Sequence, residues 1–494
     1  MKFTKLLALL MSLFLTLSML AACAQPDDTP EDPSTPDTPA PDTEDGAKDD
    51  PEEEKPFDIR AAMEALPECT FAGDEFLIAA SSTYENAFTI DQFPMSDQKT
   101  GSLVQDALFD RDALVEEIFD ITLFYDDTLD SAIYNKIGNS IRSGDDTYSL
   151  VLGSLARTAL NLFNNNLIYD LNEVPHIDLE QPWWNKNSID NFQINGKIFM
   201  ATGAITNRYV YSPYAMLFNQ QLIDDAALDS PYELLENNEW TLEVFAEMIE
   251  DTYRDLNAND AIDLEDFYGL APASDSETAY YFASGASLLS KNSNDELYFT
   301  YMEDENTAIL DEVIYMYDSD NVLKFEQTYD SLAAFREGRA IFHSMALCDI
   351  TMLNDMEDEY GIVPMPKYSE YQKELYSNAN RYISTMVLLP SSITDINNVG
   401  LIVEGLAMTA QYTSLDKQYE QVLLNRQALD AQSKASLIAV VESTTYDLCY
   451  AFDMAGMPDS LRKIIKSGGQ YASLYATYEG ALETALEDFL AHFE

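Results

Sequence analysis

A spacing typical of calcium ligands occurs in DLNANDAIDLED, residues 255–266. Oxygen-bearing side chains stand at positions 1, 3, 5, 9 and 12 of an EF-hand-type loop, and Ca²⁺ takes about six to eight oxygens. Position 6 is Asp260 instead of glycine, although aspartate tolerates the left-handed conformation better than most residues. A structural Ca²⁺ site and an ordinary polar loop both remain open. The candidate ligands are Asp255, Asn257, Asn259, Asp263 and Asp266.

A second group of residues could bind a sugar. Sugar sites pair aromatic rings, which cover C–H faces, with polar side chains that satisfy hydroxyls. Trp183 and Trp184 are adjacent, so in an extended segment at most one of them can face a ligand. Asp275 and Tyr281 follow a predicted strand, and Tyr281 is either a ligand contact or a core residue. We therefore take Trp184, Asp275 and Tyr281 as candidates.

Signatures of catalysis are missing from the sequence. It contains no G-x-S-x-G, no P-loop and no G-x-G-x-x-G pattern. Its three histidines are far apart in the sequence, which argues against a zinc site and a histidine-dependent triad. Neighbouring carboxylates occur by chance among 87 acidic residues, so they do not indicate a glycosidase. We expect a protein that is not an enzyme.

The N-terminus has the features of an export signal. Lys2 and Lys5 precede a nearly unbroken apolar run from residue 6 to residue 22. The segment LAAC, which ends at Cys23, resembles the bacterial lipobox, in which the cysteine becomes the diacylated first residue of the mature protein. Residues 1–22 are then a signal peptide, and Cys23 anchors the protein to the membrane. The alternative is an ordinary secretion signal in which Cys23 is incidental.

Composition limits both the tether and the ligand. Residues 24–56 contain eight prolines and thirteen acidic residues but no apolar side chain larger than alanine, so residues 23–56 are predicted to be a disordered tether.

The net charge of −60 disfavours nucleic acid and anionic lipid as partners. Neutral or cationic ligands are favoured unless a local site overrides the net charge. The length of residues 57–494 suits two lobes.

The start of the body predicts a parallel α/β sheet. EFLIAA, DITLFY and TYSLVLGS are apolar runs typical of buried strands, and amphipathic helical segments separate them. Ligands bind at the carboxyl ends of the strands in such sheets. Polar or small residues follow two of these strands, at 81–84 and 153–154. Another short polar stretch follows Phe342. The ligand candidates from these ends are Ser82, Tyr84, Ser154 and Ser344.

Four motifs in order make the resemblance specific. NGKIFMATG with YSPYAMLFNQQLI, then NNEWTLEVFAEMI, FREGRAIF and EYGIVPMPKY, resemble the extracellular solute-binding proteins of ABC importers, the maltodextrin-type family. The resemblance covers roughly residues 76–453. It implies a type II periplasmic-binding-protein fold with two α/β lobes, a hinge and a ligand cleft, and it implies no catalysis. Alignment to the cleft positions of that family adds Ser212 and Tyr446 as candidates. It also supports Tyr84 and Ser344.

The resemblance also implies an arrangement of segments. Residues 57–180 would begin lobe 1 and 181–325 would begin lobe 2. Residues 326–375 would return to lobe 1, and 376–494 would complete lobe 2 with C-terminal helices. Maltodextrin binders carry bulky aromatics where this chain has Gly153 and Ser154, so another sugar, or a ligand that is not a sugar, remains open.

The combined prediction is a monomeric, lipid-anchored protein on the extracellular face of the membrane. It would capture a small solute, with a sugar or oligosaccharide favoured, and deliver it to an ABC permease. A surface glycan hydrolase and a surface adhesin or sensor module are the alternatives.

Overall fold

The computed structural model describes residues 57–494 apart from 72–74, 82, 85–87, 90, 129, 325–327, 354, 425–430 and 469–470. Residues 57–494 form one compact unit. The predicted signal peptide and tether, with Cys23, lie outside the described residues, and so does the ligand candidate Ser82.

The strands and helices are numbered in chain order. The strands are β1 (Glu75–Ala80), β2 (Thr83–Tyr84), β3 (Phe88–Thr89), β4 (Thr122–Asp126), β5 (Leu150–Ser154), β6 (Tyr214–Asn219), β7 (Tyr268–Leu270), β8 (Leu289–Lys291), β9 (Leu297–Phe299), β10 (Ala340–Ala346), β11 (Tyr360–Pro364), β12 (Ser377–Asn378), β13 (Thr385–Leu388) and β14 (Thr444–Thr445). The helices are α1 (Ile59–Glu64), α2 (Leu103–Phe119), α3 (Asp130–Ser143), α4 (Leu160–Asn164), α5 (Lys186–Phe192), α6 (Arg208–Tyr211), α7 (Gln220–Asp225), α8 (Pro231–Glu236), α9 (Leu242–Ile249), α10 (Glu277–Ala283), α11 (Asp304–Tyr317), α12 (Thr328–Arg336), α13 (Ile396–Leu424), α14 (Ala431–Glu442), α15 (Leu448–Ala451), α16 (Met457–Ser467) and α17 (Tyr471–Leu490).

The first sheet has the strand order β13-β5-β1-β4. β1 pairs in parallel with β4 and with β5, which confirms the β-α-β-α-β arrangement predicted from the apolar runs. β13 adds to β5 in the antiparallel direction. β5 is buried along its whole length, as expected for an inner strand with both faces covered. We call this sheet and its helices the first lobe.

The second sheet has the order β11-β6-β10-β7. β6 pairs antiparallel with both β10 and β11, whereas β7 is parallel to β10. The predicted return of 326–375 to lobe 1 is therefore wrong, because β10 and β11 belong to the second lobe. The assignment of all of 376–494 to lobe 2 is also wrong, because β13 joins the first sheet. Strand partners are set by long-range burial, and the local sequence does not encode them.

Two local interactions fix the start of α9. Thr241 caps the helix by accepting a hydrogen bond from the Val244 backbone N–H. Trp240, directly before the cap, packs on Phe245 with the ring centroids 5.8 Å apart, which is the geometry of a hydrophobic staple. Trp240 is fully buried, so the staple also helps to hold α9 on the second lobe.

Asn195 and Gly196 form a two-residue turn. Both residues have positive φ, as a two-residue type I′ turn requires. Ile194 and Lys197 form only an isolated bridge, however, and no paired strand flanks them among the described residues. The segment is thus a turn without a paired hairpin, because the apolar residues beside it pack into the core.

The C-terminal part is helix-rich, as predicted, and it packs on both lobes. α13 lies against α2 of the first lobe, and α16 lies against α10 and α11 of the second lobe. Residues following α17 also contact the first lobe: Phe493 and Phe163 have ring centroids 5.8 Å apart. In the described part of the chain, no helix combines the length and apolarity needed to cross a membrane.

Candidate ligand-binding cleft

A cavity of about 420 Å³ lies where segments from both lobes converge, and its volume falls in the range of small-molecule sites. Arg157 follows the carboxyl end of β5 in the first lobe. Asp275 follows β7, and Tyr214 begins the antiparallel β6, so both lie at one edge of the second sheet. We call this cavity the Tyr382 cleft. Its lining residues are Arg157, Tyr214, Asp275, Thr278, Arg381, Tyr382, Tyr450, Asp453, Pro458, Asp459 and Arg462.

The second-lobe wall of the cleft is an arginine held by two carboxylates. The Arg462 Nη1 atom pairs with Oδ1 of Asp275, and its Nη2 atom lies 3.4 Å from Oδ1 of Asp459. All three side chains are partly exposed to the cleft or to solvent. Burial lowers the pKa of Arg462, but the charge and hydrogen bond of Asp275 outweigh that effect and raise it. The wall therefore presents fixed charges of both signs to a ligand.

The segment between β11 and β13 supplies the other charged wall. Arg381 is buried, its Nη1 atom donates to the Tyr450 carbonyl at 3.0 Å, and its Nη2 atom lies 3.0 Å from Oδ2 of Asp453. The next residue, Tyr382, is 38% exposed. The guanidinium carbons of Arg381 and Arg157 lie 5.3 and 5.8 Å from the centroid of its ring, within cation–π range. This segment thus combines an accessible aromatic ring with two guanidinium groups.

Two buried tyrosines line the inner part of the cleft. Tyr214 is nearly fully buried, and its hydroxyl accepts a hydrogen bond from the Asn380 side chain at 3.0 Å. Burial raises the pKa of Tyr450 to about 12 and that of Tyr214 well above its usual value. Both phenols are therefore neutral at physiological pH. A neutral phenol both donates and accepts hydrogen bonds, which suits a ligand rich in hydroxyl groups.

Unusual backbone conformations occur at the margin of the cleft. Asp275 has φ of 81°, Asp453 of 54° and Ala455 of 52°, all in the left-handed region. Such conformations cost about 1 kcal/mol or more for residues other than glycine, and they concentrate where surrounding structure fixes a functional side chain. Two of the three residues carry cleft carboxylates, so the strained backbone sets where these charges point.

The sequence-predicted ligand residues are only partly gathered at this cavity. Asp275 lines it. Tyr84 lies in β2, and Ser154 is the buried last residue of β5. Ser344 is buried in β10, with its hydroxyl 2.8 Å from that of Ser276. Ser212 is buried directly before β6. None of these three serines is among the residues described as lining the cavity, and the side chain of Tyr84 lies outside the described part of the structure.

The other three aromatic candidates are buried away from the cavity lining. The Tyr281 hydroxyl donates to the Ser287 carbonyl at 3.1 Å, and the Tyr446 hydroxyl lies 2.9 Å from that of Ser384. Trp184 is buried together with Trp183, and neither ring faces the cleft. Their indole N–H groups both donate to one carboxylate, that of Glu404, at 3.1 and 3.0 Å.

Three carboxylates of the loop 255–266 accept hydrogen bonds from groups in the loop or next to it. Asp263 accepts hydrogen bonds from the side-chain amides of Asn257 and Asn259, the latter at 2.6 Å. Asp255 accepts from the backbone N–H groups of residues 258 and 260. The buried Asp266 accepts from the Tyr253 hydroxyl at 2.9 Å.

One geometric requirement of the predicted calcium loop is met, since Asp260 has φ of 58°. The described residues contain no group of three or more His, Cys, Asp or Glu side chains placed to hold a metal ion. In a calcium-bound loop, Asn257 and Asn259 would present oxygen atoms, whereas their nitrogen atoms now contact Asp263. The calcium site remains a prediction.

Sequence reasoning missed most of the charged residues of the cleft. Arg157, Arg381 and Arg462 lie more than 60 residues apart along the chain, and no motif links them. One signal was available, because Arg381 and Tyr382 form an adjacent basic–aromatic pair in a chain with only 27 basic residues.

No protein-family model matches the sequence, and no curated protein matches it. Solved structures are similar in fold. The ABC substrate-binding protein Lmo0181 from Listeria monocytogenes, in complex with cycloalternan, has 14% identity and a TM-score of 0.51, covering 85% of this chain and 98% of that one. UspC of M. tuberculosis has 10% identity and a TM-score of 0.53, covering 83% and 100%.

A cyclo/maltodextrin-binding protein complexed with maltotetraose also has 10% identity and a TM-score of 0.53, covering 85% of this chain and 98% of its own. These likenesses extend over nearly the whole length of all three proteins. They agree with the two-sheet architecture described above. The chain therefore has the two-lobe type II periplasmic-binding-protein fold.

Proposed function

We propose that this protein is a lipid-anchored substrate-binding protein that captures a small carbohydrate in the Tyr382 cleft and delivers it to an ABC permease. The observation that carries the proposal is the cleft itself. An accessible tyrosine, two neutral phenols and charged hydrogen-bonding groups of both signs converge there from both lobes. Two of the similar structures hold carbohydrates, cycloalternan and maltotetraose, which supports this choice of ligand.

The lining suits the surface of a sugar. The ring of Tyr382 offers an apolar face for C–H groups, and the hydroxyls of Tyr214 and Tyr450 can donate to and accept from sugar hydroxyls. Arg462, fixed by two carboxylates, presents remaining N–H donors in a constant orientation. Preorganised polar groups of this kind bind a polyol without a large cost of ordering side chains.

Capture would proceed by closure of the lobes. Arg157 belongs to the first lobe, whereas Asp275 and Arg462 belong to the second. A ligand that contacts both walls binds the closed state more tightly than the open state and shifts the population toward closure. The closed form would then be the one presented to the permease.

The anchor is the N-terminal part of the proposal. Cys23, at the end of the apolar signal, would carry the lipid, and the acidic residues 24–56 would hold the body away from the outer face of the membrane. Replacing Cys23 by Ala should move the protein from the membrane fraction to the medium, because residues 24–56 have no large apolar side chains. An unchanged membrane fraction would contradict lipid anchoring without affecting the ligand proposal.

Binding is tested by isothermal titration of the purified protein with a panel of neutral and acidic mono- and oligosaccharides. We expect one group to bind, and Tyr382→Ala to weaken that binding by about tenfold or more. Tyr371→Ala is the matched control, because Tyr371 is 87% exposed and does not line the cleft. Recovery of the bound oligosaccharide intact separates capture from hydrolysis. Cleavage of the sugar, or equal effects of the two variants, would contradict the proposal.

A further inference from the structure

A loop with unusual backbone geometry borders the Tyr382 cleft. Asp453, Ala455 and Gly456 have φ of 54°, 52° and 71°, and Asp453 lines the cleft. The left-handed conformation is disfavoured for residues other than glycine, and it persists only where the surrounding structure fixes it. We call residues 453–456 the cleft loop. Its shape must therefore be determined by the groups that pack against it.

The cleft loop places a charge that reaches the exposed ring of the cleft. The Asp453 Oδ2 atom lies 3.0 Å from Nη2 of Arg381. The guanidinium carbon of Arg381 lies 5.3 Å from the centroid of the Tyr382 ring, within cation–π range. Tyr382 is the ring that covers the sugar in the proposed function. A displacement of the loop would thus be passed to Tyr382 through an ion pair and a ring contact.

The groups that pack against the cleft loop come from the C-terminal helix and from the first lobe. α17 lies against residues 454–456. Phe452, directly before the loop, has its ring centroid 4.7 Å from that of Phe489 in α17 and 5.2 Å from that of Phe163 in the first lobe. The rings of Phe163 and Phe489 are 5.8 Å apart, and both are buried. Three mutually packed rings therefore fix the point at which the chain enters the loop.

We infer that α17 positions the cleft: Phe489, through Phe452, holds the cleft loop in the conformation that places the Asp453 carboxylate. This inference rests on the proposed function and adds a helix that supplies none of the residues described as lining the cleft. Phe489 is thus a positioning residue, which affects the affinity for a sugar without contacting it. Because Phe163 belongs to the first lobe, the same rings also tie the cleft loop to that lobe.

Hydrogen exchange of the purified protein without ligand tests the positioning itself. The backbone N–H of Asp453 donates to the Tyr450 carbonyl at 3.3 Å, and that of Gly456 donates to the Asp453 carbonyl at 3.2 Å. Phe489→Leu removes the ring and keeps an apolar side chain, so these long hydrogen bonds should open more often. We expect amide exchange at residues 452–456 to become about tenfold faster or more.

Phe199→Leu is the matched control. The Phe199 ring lies 5.7 and 5.3 Å from the rings of Phe163 and Phe493. Within the described residues it makes no ring contact with Phe452. We expect this variant to leave exchange of the cleft loop unchanged, even where it lowers the melting temperature as much as Phe489→Leu does. Equal acceleration in both variants, or none in Phe489→Leu, would overturn the inference.

Affinity gives the second readout, with the saccharide of the titration panel that binds the wild type tightest as the probe. Phe489→Leu should weaken this binding by about threefold or more. In the background of Asp453→Asn, which keeps a residue that tolerates the left-handed conformation but removes the charge, the same substitution should change it by less than about twofold. An equal loss in both backgrounds would overturn the inference and leave the proposed function standing. If no saccharide of the panel binds, both are overturned.

Discussion

Two clusters in this molecule satisfy carboxylates with N–H donors, but one cluster is buried and the other is exposed. In the buried cluster, the carboxylate of Glu404 on α13 accepts from the indoles of Trp183 and Trp184 at 3.0 and 3.1 Å. In the exposed loop 255–266, the carboxylate of Asp263 accepts from the amide of Asn259 at 2.6 Å and from the backbone of Glu265 at 2.8 Å. The number and type of donors are similar.

The two carboxylates nevertheless titrate in opposite directions. Burial raises the pKa of Glu404 to about 7, and the nearby charge of Asp178 adds to the rise, against the lowering effect of the indole donors. The pKa of Asp263 is lowered, first by the hydrogen bond from Asn259 and then by the backbone of Glu265. Donors stabilise the ionised form in both places, but only in the exposed loop does water remain to help them. Burial thus decides the sign of the shift.

The largest expected effect is the pH dependence caused by Glu404. Between its ordinary pKa of 4.5 and about 7, the folded chain keeps a proton that the unfolded chain has released. The unfolded state binds fewer protons there, so the free energy of unfolding falls as pH rises, by about 3 kcal/mol in total. Glu404→Gln imitates the protonated carboxyl and should remove this part of the slope in urea unfolding at pH 4.5 to 8.

Part of the slope should survive in that variant, because burial also raises the pKa values of Asp349 and Asp447 to about 6. Both contribute in the same direction. An identical slope in the wild type and in Glu404→Gln would mean that burial does not control the titration of Glu404.

The next effect concerns one donor of the buried cluster. Trp184→Phe removes an N–H group from Glu404 and should destabilise the protein by about 2 kcal/mol at pH 8, where the carboxylate is charged, but by about 1 kcal/mol at pH 5. Trp240→Phe is the matched control, because the indole of Trp240 donates at 2.8 Å to a neutral acceptor, the Pro364 carbonyl. Its cost should be the same at both pH values. Equal pH dependence of the two variants in urea unfolding would contradict this account.

The helices and strands, and the parallel order of β1, β4 and β5, followed from local patterns, whereas the sheets to which the later strands belong did not. The buried run at β1, the N-cap Thr241 and the staple of Trp240 are each contained within a few neighbouring residues, and they could be predicted. The sheet to which β10 and β13 belong depends on partners more than 70 residues away. Their sequences fit either sheet, because both are short and mostly apolar and both are buried at every position.

The same distinction separates the two candidate sites. Loop 255–266 has its oxygen atoms in one contiguous stretch, so its pattern could be recognised from the sequence. The Tyr382 cleft gathers Arg157, Asp275, Arg381 and Arg462 from four separate segments. The buried aromatics Trp184 and Tyr281 were attractive sugar platforms by residue type, but residue type does not say which side of a strand or helix faces the core.

Calcium gives a smaller expected effect. If the loop 255–266 binds Ca²⁺, the ion must replace the amide nitrogens that now contact Asp263. Millimolar Ca²⁺ should then raise the melting temperature by roughly two degrees, and chelator should reverse the rise. Asp255→Ala should abolish the response, whereas Asp145→Ala, at an exposed site elsewhere, should keep it. Identical melting curves with Ca²⁺ and with chelator would show that residues 255–266 are an ordinary polar loop and not a calcium site. Sugar affinity should not change in either variant.

The smallest expected effect is the titration of Asp263 itself. Asn259→Ala removes the shortest donor to this exposed carboxylate, so its pKa should rise toward the ordinary aspartate value. Asn257→Ala should raise the pKa less, because its amide contacts the carboxylate at 3.1 and 3.3 Å. A lowered folded pKa gives stability that is present above the ordinary pKa and is lost as pH falls through the folded value. Solvent screens this carboxylate, so its pKa is measured directly and not through stability. The measurement is a carbon-13 NMR titration of the Asp263 side chain in metal-free buffer, which does not depend on unfolding. If the pKa of Asp263 stays low in Asn259→Ala, then backbone N–H groups, and not the side-chain amides, stabilise its ionised carboxylate.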